Sequence, residues 1–125
     1  MDVEDSIRSL KEIDGAGNES YVVRGAKTRC SQGSEPSRLN LPQCHGVYLR
    51  EKPQLNIMDF QPMINIRPFG YCRAQNGPCT PVVLGPWQLG KDNVLIDEQN
   101  ALLNKSINFC ARGGEITITD DGQRL

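Results

Sequence analysis

Cys30-Ser-Gln-Gly33-Ser-Glu35 and Cys110-Ala-Arg-Gly113-Gly-Glu115 decide the reading of this chain. A Cys-x-x-Gly-x-Glu frame occurs twice, 80 positions apart. Between the two frames lie two hairpin-like stretches, with Cys72 and Cys79 between them. The stretches align: Val47-Tyr-Leu-Arg-Glu51 with Val94-Leu-Ile-Asp-Glu98, and Leu55 with Leu102. Cysteines therefore alternate with hairpins, which is repeat logic inside one small domain. If both hairpins point their loops toward one end, the cysteine segments meet at the other. Converging cysteines in a small domain imply a metal or disulfides.

Outward from these frames the texture is that of short strands. Tyr21-Val-Val-Arg24 is a β-branched run closed by Gly25. The first hairpin sets Val47–Arg50 against Gln54–Ile57 across Glu51-Lys52-Pro53. The second sets Val94–Ile96 against Ala101–Leu103 across Asp97-Glu-Gln-Asn100. Ile116-Thr-Ile-Thr119 is a period-2 strand stopped by Asp120-Asp-Gly122. Turn signals fill the gaps at Arg67-Pro-Phe-Gly70, Asn76-Gly-Pro78 and Leu84-Gly-Pro-Trp87. The expected fold is all-β, a compact cone or prism of short hairpins spanning residues 19–125. Residues 1–18 read as an extension, either flexible or a short amphipathic helix with Val3, Ile7, Leu10 and Ile13 on one face.

A chain of 125 residues makes one domain with a modest core. Its 12 glycines and 8 prolines favour tight turns over long helices. The formal net charge of −1, with no basic block, gives no support for a nucleic-acid partner. No apolar run approaches a membrane span, and the acidic start MDVEDSIRSL is not a signal peptide. Assembly in the cytosol is therefore expected, where reduced cysteines more often hold metal than form disulfides. The cysteine count of five also leaves one thiol over in any full pairing.

The ordered motifs resemble the PAAR-repeat proteins, specifically their PAAR-like branch. The resemblance covers about Tyr21 to Gln123. It rests on Val22-Val-Arg-Gly-Ala26, Pro36-Ser-x-Leu39, Asn56-x-x-Asp59 and Asn65-Ile-x-Pro-Phe-Gly-x-Cys72. It continues through Gly77-Pro-Cys79-x-Pro81, Pro86-Trp87 and Cys110-Ala-x-Gly-Gly-x-Ile116. The resemblance implies a small β-rich pyramid with zinc near its apex, capping the spike of a contractile injection machine such as a type VI secretion system. The implied partner is a trimeric spike protein of the valine-glycine-repeat type, with effector or adaptor proteins as further partners. It implies no enzyme activity and export with the spike. The implied ligands of one structural zinc are Cys30, Cys72, Cys79 and Cys110. Gly25-Ala-Lys-Thr28-Arg-Cys30 carries the first, with cysteine where histidine is common in that family. The Cys72–Cys79 spacing is wider than in PAAR proteins themselves. Four thiolates nonetheless make a closed structural zinc site.

Two other classes stay open at this point. One is a zinc-ribbon-like adaptor that binds a protein. The other is a small hydrolase or toxin built on Cys44 and His45. Such catalysis needs a spatial pair and a third orienting group, and no sequence frame supplies them. His45 is also a candidate replacement for one cysteine ligand. Asn56, Asp59 and Asn65 read as turn chemistry, and Trp87 as a core or edge anchor.

Overall fold

The structure, a computed structural model, describes residues 19–124. The expected extension over residues 1–18 lies outside the described residues. Among them there is no helix. Ten short strands follow in order: β1 Lys27–Cys30, β2 Ser37–Arg38, β3 Tyr48–Leu49, β4 Lys52–Pro53, β5 Tyr71–Cys72, β6 Gly77–Pro78, β7 Lys91–Ile96, β8 Gln99–Ala101, β9 Ile107–Cys110 and β10 Gly114–Asp120. The fold is all-β. One antiparallel sheet has the order β2-β1-β10-β9, and β3-β4, β5-β6 and β7-β8 are separate two-stranded ladders.

The centre is a ring of three segments: 21–23, 54–56 and 101–103. Val22 N–H donates to Leu102 C=O at 3.1 Å, Leu102 N–H to Leu55 C=O at 3.1 Å, and Leu55 N–H to Val22 C=O at 3.0 Å. The circuit closes on itself. Flanking residues repeat the rule, pairing Val23 with Gln54, Asn56 with Ala101, and Leu103 with Tyr21. Each segment's third residue meets the next segment's first. One chain thus builds a pseudo-three-fold arrangement in which the middle backbone groups are all satisfied.

Side chains alternate across an extended backbone, so the ring divides the interior. Val22, Leu55 and Leu102 point into a cluster with Cys30, Cys110, Phe69, Trp87 and Ile116. Tyr21, Val23, Ala101 and Leu103 point into a second cluster with Leu49 and Ile96 from the hairpins. Cys30 and Cys110 lie on one side, and Leu49 and Ile96 of the two aligned hairpins on the other. The three middle residues are fully buried, and each such side chain contributes ~2 kcal/mol or more by leaving water.

The cysteine frames repeat in three dimensions. β1 and β9 share one alternation of burial and both end on the cysteine. Gly33 N–H donates to Cys30 C=O at 3.0 Å, and Gly113 N–H to Cys110 C=O at 2.9 Å. Ala26 N–H to Val23 C=O at 3.1 Å matches Ser106 N–H to Leu103 C=O at 2.9 Å. The repeat therefore covers residues 21–33 and 101–113, further than the motif alone indicates.

The hairpins correct the expected loops. Pro53 suggested a turn over 51–53, and the polar run suggested one over 97–100. Both turns are two residues long: Arg50-Glu51, with φ of 52° and 67°, and Asp97-Glu98, with φ of 54° and 69°. Two successive positive φ values make the turn whose twist matches the strands it joins. The turn usually announces itself by Asn-Gly or Asp-Gly, and neither hairpin carries that signal. Pro53 sits in β4 opposite Tyr48. Tyr21–Arg24, expected as a strand, contributes single bridges to the ring instead.

Candidate metal centre

Backbone pairing brings all four expected cysteines together. β10 lies between β1 and β9, with Cys30 opposite Ile116 and Cys110 opposite Gly114. Gly33 pairs with Cys72, and Arg73 N–H donates to Gln32 C=O at 2.9 Å, so β5 runs beside the first frame. Cys79 N–H donates to Gly70 C=O at 2.7 Å, and Ala111 N–H to Val82 C=O at 2.7 Å. The 79–82 segment is thereby held against Cys110, whose Sγ accepts from Val82 N–H at 3.4 Å.

Cys30, Cys72, Cys79 and Cys110 line one small cavity of about 10 Å³. That is near the smallest space that accepts one water-sized particle. Phe69, Pro81 and Ile116 close its apolar sides. Cys30, Cys72 and Cys110 are buried and Cys79 half-buried, and all are free thiols. Two glycines permit the approach. A side chain on Gly114 would collide with Cys30 Sγ, and one on Gly33 would meet Phe69 Cβ at 2.5 Å.

Burial pushes the Cys79 thiol above its ordinary range. A backbone hydrogen bond from Phe69 opposes this, and the neighbouring Cys72, Cys30 and Cys110 reinforce it. Thiolates crowded in this way repel one another, and a dication would relieve that repulsion. Among the described residues, no three or more His, Cys, Asp or Glu side chains already stand in metal-holding geometry. The donor set, its burial and its glycine cradle nevertheless suit a four-thiolate zinc, and no open position would remain on it.

Cys44 and His45 lie elsewhere. Cys44 is exposed, and a hydrogen bond with Tyr48, then one from the Gly46 backbone, holds its thiol below the usual range. His45 Nε2 meets Asp59 Oδ2 at 2.8 Å and Oδ1 at 3.0 Å, while Nδ1 meets Asp97 Oδ2 at 3.0 Å. Carboxylates at both ring nitrogens favour the doubly protonated, imidazolium form of the ring. Burial opposes that charge, but Asp59 and then Asp97 outweigh it and raise the His45 pKa. Both ring nitrogens are engaged by these carboxylates and not by the Cys44 thiol.

This Asp59–His45–Asp97 bridge escaped the sequence reading, because its members are far apart in the chain. The turn chemistry expected of the neighbouring asparagines is present. Asn56 Oδ1 accepts from Met58 N–H at 2.9 Å, and Asn65 Oδ1 from Gln61 N–H at 3.1 Å. Trp87 is a buried anchor whose Nε1–H donates to Asp59 C=O at 2.9 Å.

A family profile, Domain of unknown function (DUF4280), matches residues 22–123. The chain belongs to the DUF4280 family. The match begins at the first segment of the central ring and ends just after β10. It contains all four cavity cysteines and both hairpins, so ring and cavity are parts of the DUF4280 unit. No curated protein and no solved structure matches the chain.

Proposed function

We propose that this DUF4280 domain is a non-enzymatic, PAAR-like tip that caps the trimeric spike of a contractile injection machine. The observation that carries the reading is the closed circuit Val22–Leu102–Leu55. A trimeric spike ends in three equivalent chain ends. A single chain with a pseudo-three-fold centre offers each of them a similar surface, so one copy suffices. Such an end also leaves unpaired strand edges that must be covered.

The hairpin side of the ring is the proposed docking face. Tyr48 and Leu95 occupy equivalent hairpin positions, and both are exposed although apolar. The cysteine side is the proposed apex. Cys30, Cys72, Cys79 and Cys110 would hold one structural zinc there and cross-link four chain segments. Assembly would occur in the cytoplasm, followed by export with the spike and any effector or adaptor proteins.

Co-purification with a trimeric valine-glycine-repeat-type spike protein tests the reading. One copy per three spike chains is expected, with hydrogen-exchange protection at the hairpins. Tyr48→Ser with Leu95→Ser should abolish the complex while the fold persists. Three copies per trimer, or protection confined to the cysteine segments, would refute it.

A further inference from the structure

Three arginines, Arg24, Arg38 and Arg67, line one groove of about 520 Å³, and no carboxylate lines it. Rigid backbone places them there. Arg24 follows the ring directly, and its N–H donates to Pro53 C=O at 2.9 Å. Arg38 ends β2, where it pairs with Lys27. Gly25 N–H donates to Leu39 C=O at 2.9 Å, joining these two walls. Asn40 N–H donates to Asn65 C=O at 3.1 Å, and Asn65 Nδ2 returns a bond to Asn40 C=O at 3.0 Å, which brings Arg67 alongside.

The chain carries 15 acidic against 14 basic side chains, so acids were available to balance this groove. Among the described residues, none forms an ion pair with any of the three arginines. Arg38 Nη1 donates to the Gly25 carbonyl at 3.3 Å. Three guanidinium groups lining one groove without a carboxylate give it a positive potential that favours an acidic ligand. Their planar forks suit carboxylates in bidentate pairs.

We propose that this groove binds an extended acidic peptide segment of a partner protein. β2 is one of the two outer strands of the four-stranded sheet, so it borders the groove with a short, two-residue edge beside which an extended chain can lie. The lining holds no aromatic side chain on which a base could stack. The inference does not rest on the spike reading, since it names a different partner and different side chains.

Titration of the whole chain with hexaglutamate, followed by amide NMR at low salt, is the test. Saturable shifts are expected around residues 24–25, 37–40 and 67. Arg24→Gln, Arg38→Gln and Arg67→Gln should each weaken binding about tenfold, as expected for a lost charge-assisted hydrogen bond. Arg29→Gln, on exposed β1 surface outside the groove, should leave affinity unchanged. Shifts scattered over all basic residues, no saturation, or equal weakening by Arg29→Gln would overturn the proposal. Displacement by equimolar inorganic phosphate would make it a small-anion site instead. Tighter binding of a single-stranded oligothymidylate than of hexaglutamate would make it a nucleic-acid site. Either result rejects the peptide.

Discussion

Leu102 N–H donates to Leu55 C=O at 3.1 Å, and both side chains are completely buried. These residues follow the two hairpins at equivalent positions, so their bond joins the repeat to itself. Val22 completes the circuit although no hairpin precedes it among the described residues. The ring thus joins the cysteine cluster to the hairpin cluster.

Truncating the ring should be costly at either leucine. Leu55→Ala and Leu102→Ala should each destabilise the domain by about 2–5 kcal/mol, the usual range for a cavity left in a tight core. Urea unfolding measures this. Losses near zero would mean that the ring is not part of the cooperative core.

Metal removal should act on the same core. The purified chain is expected to hold about one zinc, measured by elemental analysis. Cys110→Ser should lose most of that zinc and lower the melting temperature sharply, because structural zinc supplies on the order of 10 kcal/mol in small domains. Gly114→Ala should do likewise, since its methyl would strike Cys30 Sγ. Cys44→Ser should change neither reading. Equal losses for Cys110→Ser and Cys44→Ser would reject the ligand assignment.

The His45 bridge predicts a pH dependence. Its folded pKa is raised by Asp59 and Asp97 against the effect of burial, while the unfolded chain titrates near the ordinary value of about 6.5. The folded state therefore binds the proton more tightly. The bridge's contribution is complete below about pH 6.5 and is lost as pH rises through the folded pKa. Urea midpoints should fall as pH rises above about 6.5, and His45→Gln should flatten that fall. An unchanged slope in the variant would place the titration elsewhere.

The hairpin turns store strain that glycine would release. Glu98 stands at φ 69° without a glycine's freedom. Glu98→Gly should stabilise the domain by about 0.5–1 kcal/mol in thermal melts, because the left-handed region costs roughly 1–2 kcal/mol for other residues. Glu51→Gly, at φ 67°, should behave alike. Destabilisation in both would show that the carboxylates make contacts worth more than the strain.

The sequence by itself determined that the chain would be built of short strands, that its two cysteine frames were one motif used twice, and that the hairpins aligned. It could do so because each feature is local: period-2 burial, turn residues and fixed spacing act within a few positions. It also singled out the four cysteines, which the tertiary structure then placed around one cavity through β10 and the β5 segment. Only tertiary structure decided the ring, since Val22, Leu55 and Leu102 meet through backbone groups that carry no sequence signature. The same holds for His45 between Asp59 and Asp97, and for the three arginines around one groove. Those relationships join residues far apart in the chain, and the path of the backbone, not the residue type, brings them into contact.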